Sequence, residues 1–182
     1  GFDIRPYLGT YKQGGIFAQL ENGDITTADF YDEIRRISTN PTLTDEDIRL
    51  AWEAYLVGVP ADRLACLRRV KQNYRTAVLS NTNPIHWAQA ERDYFGTDGY
   101  TVADYFDTLF LSCDLHVQKP DPAIFDRVTA ELGCAPEEIL FFDDSEENCR
   151  VAAAKGWQVR LTPAGGAWVT EAFDAEGHLR HE

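Results

Sequence analysis

The sequence predicts an α/β protein: a doubly wound parallel sheet preceded by a small all-helical segment. Three observations predict it. Residues 76–79, 108–111, 139–142 and 158–161 are short, mainly apolar runs with the length of buried strands. Stretches with helical spacing separate successive runs, an alternation that implies parallel strands joined by crossovers. Residues 1–60 carry helical patterns and no strand candidate.

The helical segment reads as follows. Thr26-Thr27-Ala28-Asp29 opens a helix in capping style, and Phe30, Ile34 and Ile37 recur at helical spacing. Asn40-Pro41 stops it. Thr44-Asp45-Glu46-Asp47 opens another, with acids in the first turn where the helix dipole favours them. Ile48, Trp52 and Tyr55 form its apolar stripe. Gly58-Val59-Pro60 ends the segment, so the division falls at 1–60 and 61–182.

Beyond Pro60, Leu64, Leu67 and Val70 mark one side of a helix from about Ala61 to Asn73. The strand to Leu79 follows, then a helix from Pro84, a loop over 96–100 and the strand 108–111. A helix from about Pro122 to Leu132 presents Ile124, Val128 and Leu132, and Gly133 ends it. The strand 139–142, a helix to Lys155 closed by Gly156, and the strand 158–161 complete the alternation. Phe173 to Gly177 is a candidate hairpin turn.

Composition narrows the function. With 182 residues, 44% of them hydrophobic and 12% aromatic, the chain can bury a sizeable core. The net charge of −13 argues against nucleic-acid and anionic-membrane partners. Any anion site must therefore hold local positive charge. The cysteines, Cys66, Cys113, Cys134 and Cys149, form no C-x-x-C pattern and read as reduced, in a cytoplasmic protein. There is no long apolar run of membrane-spanning length.

Chemistry gathers where strands end. Ile139 to Phe142 runs into Asp143-Asp144-Ser145. Acids at the carboxyl end of a parallel strand sit where such sheets place ligands. Two adjacent carboxylates repel, and a hard divalent cation such as Mg²⁺ between them resolves the conflict. The plainer reading makes Asp144 or Ser145 an N-cap. Residues 76–79 end in Ser80-Asn81-Thr82-Asn83-Pro84, and 108–111 leads to Ser112-Cys113-Asp114 and Lys119-Pro120-Asp121-Pro122. Alone, Ser80 and Asn81 are ordinary turn formers, Asn83-Pro84 is a helix start, and Lys119 is a solvated lysine. Together they offer a hydroxyl, an ammonium and a metal-binding acid pair, as a phosphoryl group requires.

This set resembles the haloacid dehalogenase (HAD) superfamily of phosphatases over nearly the whole chain. Ser80-Asn81 matches its second motif, Lys119-Pro120 its third, and Asp143-Asp144 with Asn148 its fourth. The wording is similar to the subgroup of bacterial α-D-glucose-1-phosphate phosphatase and the phosphatase domain of soluble epoxide hydrolase. The resemblance implies a Rossmann-like core over 61–182 and a helical cap over 1–60 that sets specificity. It further implies Mg²⁺ held by Asp144 and Asp143, phosphate oxygens held by Ser80 and the Asn81 N–H, and charge offset by Lys119. His86, one turn into the next helix, is a candidate substrate contact, with a structural histidine as the alternative.

The resemblance also implies a first motif, a strand ending in a nucleophilic Asp that becomes phosphorylated. Gly1 to Arg5 contains Asp3, but no apolar strand precedes it. The expectation is a longer protein with roughly 20–35 further N-terminal residues, one strand and its connection, lying between the strands that end at Ser80 and Phe142. The 182 residues alone are then expected to be inactive. The expected activity is Mg²⁺-dependent hydrolysis of a small phosphomonoester, such as a sugar phosphate, by a monomer or weak homodimer. The alternatives are a non-catalytic binding or scaffold relative and a dehalogenase-type hydrolase, against which the acid pair argues. A receiver domain has the same groups in the opposite chain order.

Overall fold

The computed structural model describes residues 3–9, 13–40 and 42–180. Gly1, Phe2 and Pro41, to which readings were attached above, lie outside the described residues. The ordered elements up to Glu53 are helical: a 3₁₀ turn Arg5–Tyr7, α1 Gly15–Glu21, α2 Thr27–Ile37 and α3 Asp45–Glu53. Both expected helix starts are capping boxes. Thr26 Oγ1 accepts from the Asp29 N–H at 3.1 Å while Asp29 Oδ2 accepts from the Thr26 N–H at 3.0 Å. Thr44 and Asp47 repeat the exchange. Phe30, Ile34, Ile48 and Trp52 are buried as their spacing requires, in one cluster with Phe17 and Leu20. Tyr55 departs from that stripe and is 53% exposed, because α3 has already ended at Glu53.

After Pro60 the alternation appears. It runs α4 Ala61–Asn73, β1 Ala77–Ser80, α5 Pro84–Gln89 continuing into a π-helical turn Ala90–Phe95, β2 Thr108–Leu111, and the short α6 Ser112–Leu115. Then come α7 Pro122–Leu132, β3 Leu140–Asp143, α8 Glu146–Ala154, β4 Gln158–Leu161 and α9 Trp168–Ala172. Asn83, Asp121 and Ser145 cap α5, α7 and α8 with their side chains. The turn after Phe173 closes with an antiparallel bridge between Phe173 and Leu179.

β1 pairs in parallel with β2, setting Ser80 opposite Leu111, and β3 pairs in parallel with β4, setting Asp143 opposite Leu161. Among the described residues no ladder joins the two pairs. Ser80 and Asp143 are the last residues of their strands, so both functional groups stand at a carboxyl end. The larger core packs α7 and α8 onto β2 and β3. Phe125, Phe141 and Trp157 meet edge-on, with centroids 5.2–5.9 Å apart.

Candidate active site

Side chains from three strand ends meet in one hydrogen-bonded web. Asn81, just past β1, faces the loop that carries Lys119. Its Nδ2 donates to the Lys119 carbonyl and its Oδ1 accepts from the Lys119 N–H, each at 2.8 Å. This amide pairs with a backbone as another strand would, and so fixes where the lysine starts. The Lys119 ammonium then donates to Asp143 Oδ2 at 2.6 Å, with side chains only 10% and 7% exposed. Asp143 Oδ1 accepts from the Ser145 N–H at 2.8 Å and from Asn148 Nδ2 at 2.9 Å.

This web sets the two adjacent acids apart. Lys119 and two further donors compensate the Asp143 carboxylate, and Asp144 stands exposed at the strand end. Asp144 is the more accessible oxygen donor of the pair. Ser145 also caps α8, so the cap reading of this segment holds beside the acid-pair reading. Hard carboxylate oxygens suit Mg²⁺, which is commonly held by one or two carboxylates together with substrate phosphate and water. The described residues contain no cluster of three or more ligating His, Cys, Asp or Glu side chains. Asp143, the last residue of β3, and Asp144 after it are the adjacent carboxylates at this strand end.

A cavity of about 460 Å³ opens between the helical segment and the end of β1. Ser80, Asn81 and Thr82 line it from below, and Gln13, Glu21, Trp52 and the stretch 55–59 line it from the helical side. His86 lines it too, but both ring nitrogens are engaged. Nε2 lies 3.0 Å from the Trp52 carbonyl and Nδ1 3.2 Å from Asn83 Nδ2. The neutral tautomer with its proton on Nε2 satisfies both contacts. Burial holds the imidazole below its usual pKa, and its ring stacks on Trp52 at 4.6 Å.

Two residues here carry no motif in the sequence. Ser112 is fully buried; its hydroxyl accepts from the Thr82 N–H at 2.9 Å and donates to the Glu21 carbonyl at 2.6 Å. It ties the end of α1 to the end of β1. Gly23, at φ +70°, permits that approach, because a side chain there would collide with the Cys113 carbonyl. Glu21 is 8% exposed, and burial pushes its carboxyl up to about 7. Nothing in the local sequence marks it, since its burial comes from contact between distant segments.

The model of the haloacid dehalogenase-like hydrolase family matches residues 24–156. Over 169 residues the chain is 31% identical to D-ribitol-5-phosphate phosphatase of Bacteroides thetaiotaomicron, covering 93% of this chain and 82% of that protein. A crystal structure of a HAD-family enzyme from the same organism, in complex with magnesium and inorganic phosphate, superposes with a TM-score of 0.86 at 38% identity. That match covers 91% of this chain and 81% of the other. A predicted HAD-like hydrolase from Porphyromonas gingivalis gives 0.83 at 30% identity, covering 93% and 80%. The chain belongs to the haloacid dehalogenase-like hydrolases. The curated relatives it resembles include phosphatases.

Proposed function

We propose that this protein is a Mg²⁺-dependent phosphatase that hydrolyses a small phosphomonoester, a sugar or polyol phosphate, through an aspartyl-phosphate. The observation that carries the reading is the convergence of Asn81, Lys119 and Asp143, with Asp144 and Ser80 at the same strand ends. Ser80 and the Asn81 N–H hold phosphate oxygens. Lys119 has three ammonium protons, of which one goes to Asp143, leaving two for the phosphate and the attacking carboxylate. Asp144 holds the metal, with Asp143 beside it. Mg²⁺, when bound, neutralises phosphate charge and orients the group for in-line attack.

The reading needs a nucleophilic Asp at the end of a strand between β1 and β3, neither of which has a strand partner on that side among the described residues. In this reading 1–60 is the cap and 61–182 the core, and the cavity between them admits the leaving group. The similarity to a D-ribitol-5-phosphate phosphatase supports a polyol phosphate as substrate.

The test is release of inorganic phosphate by the full-length protein from D-ribitol 5-phosphate, glyceraldehyde 3-phosphate and p-nitrophenyl phosphate. Hydrolysis with Mg²⁺, abolished by excess chelator, is expected. Hydrolysis unaffected by chelator, or no hydrolysis of any phosphate ester, would overturn the reading.

A further inference from the structure

Two buried polar atoms around the cavity have no partner among the described residues, and a buried carboxyl stands beside them. Gln13 Oε1 and the Trp52 indole N–H are buried and make no hydrogen bond. Glu21 is buried, and desolvation raises the pKa of its carboxyl. All three side chains line the one space that also reaches Ser80 and Asn81. A buried polar group left unpaired costs on the order of 1–3 kcal/mol, and native structures contain few. Two around one cavity, beside the Glu21 carboxyl, have a common explanation if a polar ligand completes them.

We propose that Glu21, Gln13 and Trp52 form the specificity set that hydrogen-bonds the hydroxyl groups of the leaving alcohol, so that the site selects polyhydroxylated phosphomonoesters over apolar ones. The inference rests on the phosphatase reading above and names what its cavity recognises. Placement supports it. Ser112 holds the Glu21 backbone to Thr82, two residues past Ser80, so the carboxyl is fixed beside the phosphate end of the cavity. Chemistry supports it as well. At neutral pH the raised carboxyl carries an O–H donor in part of the population and acceptor oxygens throughout. The indole N–H donates, and the amide does both. A chain of hydroxyls, each donor and acceptor, meets such a mixed set, whereas an aryl or alkyl group leaves it unpaired. Sites built to bond a hydroxyl reject analogues lacking it far more strongly than apolar pockets discriminate by size.

The experiment compares full-length wild type, Glu21→Leu and Gln13→Leu on D-ribitol 5-phosphate and on p-nitrophenyl phosphate, which has no hydroxyls on its leaving group. The expected result is a fall in kcat/KM of about tenfold or more on ribitol 5-phosphate, with the aryl ester changed less than about threefold. Equal falls on both substrates, or no change on either, overturn the inference. Gln13 is only half-buried, so Gln13→Leu supplies the same comparison if Glu21→Leu does not fold. If wild type hydrolyses neither ester, the phosphatase reading fails by itself. Calorimetric titration with D-ribitol then decides the inference separately. Binding weakened tenfold or more by either substitution sustains it, and absence of binding overturns it.

Discussion

Lys119 Nζ lies 2.6 Å from Asp143 Oδ2, a buried ion pair that joins residues 24 apart in sequence. Removing one partner of such a pair leaves an uncompensated charge, which typically costs 3–5 kcal/mol. Lys119 thus supports the strand end, and in the proposed reading it is also the ammonium that faces the phosphate. Lys119→Ala should lower kcat/KM by roughly 10²-fold or more. It should also destabilise the fold by about 3 kcal/mol, softened by the Ser145 and Asn148 donors that remain on Asp143. Steady-state kinetics and urea unfolding check the two halves. Retained activity with lost stability would make the lysine purely structural.

Glu21 makes stability depend on pH. Its carboxyl rises from an ordinary 4.5 to about 7 in the fold because burial disfavours the charged form. Between those values the native state binds more protons than the unfolded chain, so this residue's contribution falls as pH rises and is fully unfavourable above about 7. Glu21→Gln should therefore stabilise the protein by up to about 3 kcal/mol at pH 8 and by little near pH 4.5. Urea unfolding of both proteins at the two values checks this. An equal difference at both pH values would show that the carboxyl is solvated.

Ser112 and Gly23 should prove as important as any motif residue for joining the helical segment to the sheet. Ser112→Ala leaves the Thr82 N–H and the Glu21 carbonyl unpaired in the interior, for a loss of about 1–3 kcal/mol. Gly23→Ala meets both the positive φ and the Cys113 carbonyl, and should cost at least as much. Thermal unfolding of the two variants tests the point. A wild-type Tm in both would mean that the contact between α1 and α6 contributes nothing.

These cases show which parts were legible beforehand. β1 to β4, the capping boxes at Thr26 and Thr44 and the helix start at Asn83-Pro84 follow from local spacing and turn chemistry, and were readable within a residue or so. Tyr55 misled because spacing carried the stripe past the end of α3. Lys119 and Asp143 were both singled out as site candidates, but their pairing was not legible, since it depends on how the Asn81 amide seats a distant loop. Ser112 looks like any hydroxyl after a strand. Glu21 looks like any acid near the end of a helix. Their roles arise from burial between segments about 90 residues apart.

His86 gives a prediction of opposite sign to that for Glu21. Burial holds its imidazole below the ordinary value, so the native state resists protonation. Its contribution to stability is present above the unfolded pKa of about 6.5 and is lost as pH falls below it. The pH profile of kcat/KM should show no ionisation assignable to His86. Titration of the His86 ring by NMR should show a neutral imidazole at pH 7. A charged ring at that pH would restore His86 as a phosphate contact.

The most direct test of the phosphatase site is Asp144→Asn in the full-length protein, assayed on p-nitrophenyl phosphate across a Mg²⁺ titration. Asp144 is exposed at the end of β3, so the substitution should leave the fold intact. If Asp144 holds Mg²⁺ as proposed, loss of its charge should cut Mg²⁺-dependent turnover by roughly 10²-fold or more. Full activity in the variant, or turnover that persists in excess chelator, would contradict the account.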